Sequence, residues 1–169
     1  MNWAHLHLVL NHVPVIGMVL GVVLLAVALV KQSRDLQRVS LGFFILLALL
    51  ALPVYFTGEP AAKVIEQLPG VSESVIERHE EAALIALVAV EVLGVIALGG
   101  VFLSRRPKTI PTWFAITLLL LSIAVGGWMV WTANLGGQIR HTEIRATGNA
   151  LTPAGEIKSD LPGRAEEAD

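Results

Sequence analysis

The chain has 169 residues, of which 54% are hydrophobic and 15% charged, with a formal net charge of −2 and no cysteine. A soluble domain carries about 25% charged residues, so this composition excludes an ordinary water-soluble domain. The charge balance gives no reason to expect a nucleic-acid partner. The lack of thiols excludes disulfides, thiolate metal sites and covalently attached c-type haem.

Four apolar stretches follow one another along the chain, and each is long enough to cross a bilayer as a helix of about 20 residues. They cover residues 6–30, 39–56, 79–103 and 112–135. The first lacks a basic leader and a cleavage site, so we expect a retained span rather than a signal peptide. The continuous runs favour helices over alternating strands. The sequence therefore predicts an all-α, integral membrane four-helix bundle, up-down-up-down, over residues 1–145.

The polar segments around these spans carry further signals. Residues 60–68 are predicted to form a short interfacial helix that Pro69-Gly70 ends. Ser74 and Glu77 have the spacing of a capping box, which predicts where the third spanning helix starts. Residues 146–169 are polar and rich in Gly, Pro and acidic side chains, which predicts a disordered external tail.

Two short loops are basic, one after the first span and one after the third. Since basic loops stay on the cytoplasmic side, we expect both termini to be external. The sequence thus predicts a multi-pass protein of a bacterial inner membrane, with the lipid bilayer as its first partner. The basic residues of these loops are Lys31, Arg34, Arg38, Arg105, Arg106 and Lys108.

All five histidines fall at the external end of this topology. His5, His7 and His12 lie near the start of the first span, His79 opens the third, and His141 follows the fourth. Neutral imidazole is the ligand of b-type haem and also binds zinc, copper and nickel. The alternative is that these side chains only meet water and lipid headgroups at the interface.

The haem interpretation assigns axial ligation to His12, His79 and His141, with His5 or His7 completing a second pair. The metal interpretation uses His12, His79 and His141. No residue is predicted to be catalytic.

Four further polar side chains lie close to these ligands in the sequence. Asn134 and Gln138 share a helix face with His141 and are expected to hydrogen-bond the ligands. Arg78 and Arg140 are candidates to pair with haem propionates or, alternatively, with lipid phosphates.

Glu91 lies deep in the third span, where a carboxylate costs about 2.5–3.5 kcal/mol. One interpretation is a proton relay or a contact to a quinone. The other is a protonated acid that bonds to Ser122, Thr117 or a backbone carbonyl.

Three motifs resemble a bacterial family of four-helix membrane proteins, catalogued as domain of unknown function 2231. They are His7-x4-His12-x-Pro14, Arg78-His79 and Gly136-Gly137-x3-His141. In that family the first histidine is usually followed by proline, whereas Leu8 follows His7 here, so either His5 or His7 is the equivalent residue. The resemblance implies an inner-membrane protein that binds haem b or a metal through its histidines.

These observations predict a haem-b-binding redox subunit that passes electrons between the quinone pool and an external carrier. This layout is similar to that of b-type cytochrome membrane subunits. One alternative is a membrane copper-, zinc- or nickel-binding or transport-accessory protein. The other is a haem-free anchor for another membrane or external redox subunit.

Overall fold

A computed structural model of the chain describes residues 2–104 and 110–145. Those residues form α1 (Trp3–Leu10), α2 (His12–Val30), α3 (Arg34–Phe56), α4 (Gly58–Ile65), α5 (Glu73–Leu103) and α6 (Thr112–Arg140), followed by a 3-10 turn at Thr142–Ile144. No strand occurs within the described ranges. The predicted all-α class is therefore confirmed, while the predicted tail at 146–169 lies outside the described residues.

Four helical segments are long and apolar enough to cross a membrane, and they cover Trp3–Val30, Arg34–Ile65, Glu73–Leu103 and Thr112–Arg140. Each predicted span lies inside one of them, and polar residues extend the helices beyond the apolar run. α1 and α2 form one rod because Asn11, between them, keeps right-handed helical dihedrals with φ −63° and ψ −24°. By the length and composition of its helices, the chain is a multi-pass membrane protein.

The spanning helices form a four-membered ring. α2 packs against α3 and α6, and α5 packs against the same two helices, so α2 and α5 lie diagonally across the bundle. α4 turns back and packs against α1. Gly94 of α5 allows α3 to approach closely, because an added Cβ would lie 2.6 Å from Cβ of Ala48.

Buried positions recur at alternating intervals of three and four residues, which is the spacing of a helix face that meets its neighbours in a bundle. Many large apolar side chains outside this pattern, such as Val19, Leu20 and Val23, are exposed, as expected for helices that face lipid. The buried series is Pro14, Met18, Gly21, Leu25 and Ala28 on α2, and Ala115, Leu118, Ser122, Val125, Met129 and Thr132 on α6.

Hydrogen bonds connect the segments at each end of the bundle. At one end, Arg38 Nη2 donates to the carbonyl oxygen of Ser104 over 2.9 Å, so the start of α3 and the end of α5 lie side by side. At the opposite end, Arg145 donates to the carbonyl oxygens of Gly70 and Gln138 over 3.0 and 2.8 Å. The start of the chain, the long connection and the segment after α6 therefore share one end.

The start of α5 differs from the prediction. The helix begins at Glu73 with Ser72 as its N-cap, and Ser74 lies inside the first turn with its Oγ 3.0 Å from Oγ of Ser72. The capping box at Ser74 and Glu77 is therefore wrong, because the helix starts two residues earlier than that motif requires. The predicted short helix before α5 is present as α4, but it begins at Gly58 and ends at Ile65 rather than at Pro69-Gly70.

Candidate functional site

His7 is a half-buried residue of α1 that packs against the end of α3. Its Nδ1 lies 3.1 Å from the carbonyl oxygen of Val54 and 3.0 Å from Oγ1 of Thr57. The Thr57 hydroxyl donates its own proton to the Val54 carbonyl over 2.7 Å. Both partners of Nδ1 are thus acceptors, so we assign the proton of neutral His7 to Nδ1. Its Nε2 keeps a free lone pair.

His79 of α5 is held in the same way by α6. Its Nδ1 donates to the carbonyl oxygen of Thr132 over 3.0 Å, which again leaves the lone pair on Nε2. Gly136 provides the space for this ring, because an added Cβ would lie 3.0 Å from Cε1 of His79. The group that approaches the backbone of Gly136 closely is therefore an imidazole.

His7 and His79, which we call the inner histidine pair, are both half-buried and lie at the end of the bundle opposite the Arg38–Ser104 contact. His7 lies on the rod formed by α1 and α2, and His79 lies on α5, diagonally across the bundle. A carbonyl oxygen of α3 holds His7, and one of α6 holds His79. Each therefore presents a nitrogen lone pair with the opposite nitrogen fixed. Histidines that ligate metals or haem iron are typically oriented in this way, by a carbonyl that accepts the other N–H.

An unpaired polar atom lies one helical turn below His7. Oδ1 of Asn11 is buried and has no hydrogen-bond partner among the described residues. Since buried amide groups are normally paired, this side chain has hydrogen-bonding capacity for a group that the chain does not itself supply.

The other three histidines lie outside the bundle. His5 is exposed near the start of α1, and His12 is exposed with its Nδ1 bonded to the carbonyl oxygen of Leu8 over 2.8 Å. His141 is exposed at the end of α6. Of the predicted set His12, His79 and His141, only His79 is half-buried in the structure, and the other half-buried histidine is His7.

His141 has a partner of its own outside the spans. Its Nδ1 lies 2.8 Å from Oε1 of Glu143. A hydrogen bond from the backbone of Glu143 and then one from His141 hold the pKa of the Glu143 carboxyl below its ordinary value. These contacts give His141 a local role at the end of α6.

The predicted supporting residues lie on the outer surface. Gln138 Nε2 donates to Oδ1 of Asn134 over 2.7 Å, so these two share a helix face, but they bond each other and not an imidazole. His141 does not continue that face, because α6 ends at Arg140 and His141 has ψ 87°. Arg78 and Arg140 are exposed. Both stay predictions as anchors for an anionic group at this end of the bundle.

Glu91 lies in the middle of α5, far from the inner histidine pair. Its Oε1 is buried and has no hydrogen-bond partner in the part of the chain that the structure describes. Ser122 donates to the carbonyl oxygen of Leu119 instead, over 2.8 Å, and Thr117 is exposed. The expected bond from Glu91 to either hydroxyl is therefore not present.

No group of three or more His, Asp or Glu side chains converges as metal ligands within residues 2–104 and 110–145. The sequence interpretation also missed the groups that orient the inner pair, namely Val54, Thr57 and Thr132. The sequence singles out none of them, because Val54 and Thr132 act through their backbone carbonyl oxygens and Thr57 is distant from His7 in the chain.

Comparisons of this chain with family models, with curated proteins and with solved structures give no match. The family resemblance described above stays a prediction.

Proposed function

We propose that the chain is a haem-b-binding redox subunit of a bacterial inner membrane, in which His7 and His79 are the axial ligands through Nε2. The observation that carries this proposal is the pair of Nδ1–H bonds to carbonyl oxygens of α3 and α6. These bonds select the tautomer that haem ligation requires and stop each ring from rotating.

The donor set suits haem for a simple reason of ligand number. Haem iron takes four nitrogen ligands from its macrocycle, so two imidazoles complete its coordination. Glycine lies beside both rings, since a Cβ on Gly58 would lie 3.6 Å from Cε1 of His7 and one on Gly136 would lie 3.0 Å from Cε1 of His79. The free Oδ1 of Asn11 adds an unused polar group at this position.

Bound haem would supply one-electron chemistry, with its potential set by imidazole ligation, burial and hydrogen bonds to the ligands. The chain's own residues would hold the imidazoles neutral and aligned and exclude water from them. Thr57 strengthens the bond at His7, because its hydroxyl shares that Nδ1–H with Val54. Arg78 and Arg140 are the cations available to propionate groups.

The proposed orientation in the membrane determines which partners the inner histidine pair can exchange electrons with. With the basic connections in the cytoplasm, the inner histidine pair lies near the external leaflet. Electrons would then pass between the membrane quinone pool and an external carrier.

The second candidate is a membrane metal-binding or transport-accessory protein that uses the same two lone pairs for copper, zinc or nickel. A haem-free anchor subunit is the third. Purified protein distinguishes them by a reduced-minus-oxidised spectrum together with elemental analysis. A b-type α-band at one haem per chain supports the proposal, whereas stoichiometric metal without that band supports the second candidate. If the protein carries neither, and added haemin does not bind, the proposal is wrong.

A further inference from the structure

Glu91 lies at the centre of the membrane-spanning part of α5. It is 12 residues from His79 and 12 from Leu103, at the helix end, which is about 18 Å in each direction at 1.5 Å per residue. The hydrocarbon layer is about 30 Å thick, so this carboxyl is near the bilayer midplane and about 15 Å from the lipid headgroups.

The surroundings of Glu91 supply no charge to balance a carboxylate. Every Lys and Arg in residues 2–104 and 110–145 lies towards one of the two ends of the bundle. Its Oε1 is buried without a hydrogen-bond partner in those same ranges. An unpaired carboxylate at this depth is costly, and the neutral acid removes most of that cost. Glu91 is therefore a protonated acid that has both a donor and an acceptor to offer.

The side chain is also within reach of molecules in the bilayer. Glu91 is half-buried, and Val88 and Val95, which share its helix face at i−3 and i+4, are 54% and 68% exposed. The surface of α5 beside Glu91 is thus open to the lipid, and a ligand that reaches the buried Oε1 must insert next to this half-buried side chain. The ligand must be soluble in hydrocarbon, because water and phospholipid headgroups stay at the interfaces.

We propose that Glu91 is the hydrogen-bonding residue of a binding site for the head group of a lipid-dissolved quinone. A quinone combines an apolar body with ring oxygens, and it moves through the hydrocarbon layer at the depth of Glu91. The acid O–H donates to a quinone carbonyl, and the acid carbonyl accepts from a quinol hydroxyl. The inference rests on the proposed redox function for the class of ligand, but its site is separate from the inner histidine pair.

The test uses the full-length purified protein in lipid nanodiscs and a photoreactive azido-quinone, with labelled peptides identified by mass spectrometry. We expect saturable labelling of α5 around Glu91 that unlabelled quinone competes away. Glu91→Leu should weaken binding about tenfold, the effect of losing one hydrogen bond in an apolar setting. Glu91→Gln keeps a donor and an acceptor and should stay within about threefold of the parent protein. Glu81→Gln, at an exposed position nearer the end of α5, is the matched control and should bind as the parent does.

Two results would overturn the inference. One is labelling that Glu91→Leu leaves unchanged or that quinone does not compete away. The other is self-association of the chain that depends on Glu91 while labelling is absent. The Glu91 carboxyl would then bind a helix of a second copy of the chain and not a quinone. The haem proposal fails separately: a parent protein that never binds haem but retains Glu91-dependent labelling refutes only that proposal. A haem-loaded protein without labelling refutes only this inference.

Discussion

A single methyl group added at Gly136 should disturb the His79 ring, whereas the same group at Gly137 should not. A Cβ at Gly136 would lie 3.0, 3.3 and 3.6 Å from Cε1, Nδ1 and Nε2 of His79. At Gly137 the nearest atom is Cδ1 of Ile144 at 3.6 Å, an ordinary contact. Both variants gain about 0.5–1 kcal/mol from replacing glycine in a helix. Only Gly136→Ala adds the cost of overpacking, about 1–3 kcal/mol.

The loss of the His79 bond to Thr132 would add about 1 kcal/mol if the ring is displaced. We therefore expect Gly136→Ala to be about 1–4 kcal/mol less stable than Gly137→Ala. The measurement is the free energy of unfolding of each variant in mixed micelles with increasing SDS, followed by far-UV circular dichroism. A bound haem gives a second readout, because only Gly136→Ala should alter its spectrum. Equal stability of the two variants would refute the proposed contact between His79 and α6.

Three further changes test separate parts of the account. Thr57→Val removes one acceptor of the His7 N–H and should lower the free energy of unfolding by about 1 kcal/mol in the same assay. A free energy of unfolding equal to that of the parent protein would count against this bond. Glu91→Leu removes a buried carboxyl oxygen that has no hydrogen-bond partner in the described residues and should stabilise the protein by about 1–3 kcal/mol, so destabilisation would show that the carboxyl has another partner. The Glu143 carboxyl should titrate below its ordinary pKa in an NMR titration, and His141→Ala should raise that pKa only in part, because a backbone hydrogen bond is the larger cause. A carboxyl of lowered pKa stabilises the fold above its unfolded pKa and loses that contribution as the pH falls through the folded value.

The sequence predicts the number of spans and their alternating direction well, because both follow from hydrophobic length. The clustering of histidines at one end follows from the same argument. The sequence indicates less clearly that the helices continue past the apolar runs. It also does not single out Ser72 as the N-cap of α5, because several polar residues near it could start a helix.

Which histidine faces inward depends on helix rotation, which hydropathy alone does not give. Each residue turns a helix by about 100°, so His12 is about 140° away from His7 around the rod. Counting back from the buried Met18 in steps of four, three and four residues reaches Pro14, Asn11 and His7. This series does not include His12. That series of buried positions is seen only in the structure, because α2 is apolar on every face, and it favours His7.

Some partners in the site have no such signal. Val54 and Thr57 contact His7 from 47 and 50 residues away. Their position depends on where α3 ends and how α1 packs beside it. A tertiary contact of this kind cannot be inferred from local spacing in one chain.

The inner histidine pair as the haem site is tested most directly by electron paramagnetic resonance of the oxidised, purified protein. The account predicts the signal of low-spin ferric haem with two imidazole ligands. That signal should disappear in His7→Ala and in His79→Ala, return when imidazole is added, and persist in His12→Ala and His141→Ala. A low-spin signal that survives in His79→Ala, or that is lost in His141→Ala, would contradict the account.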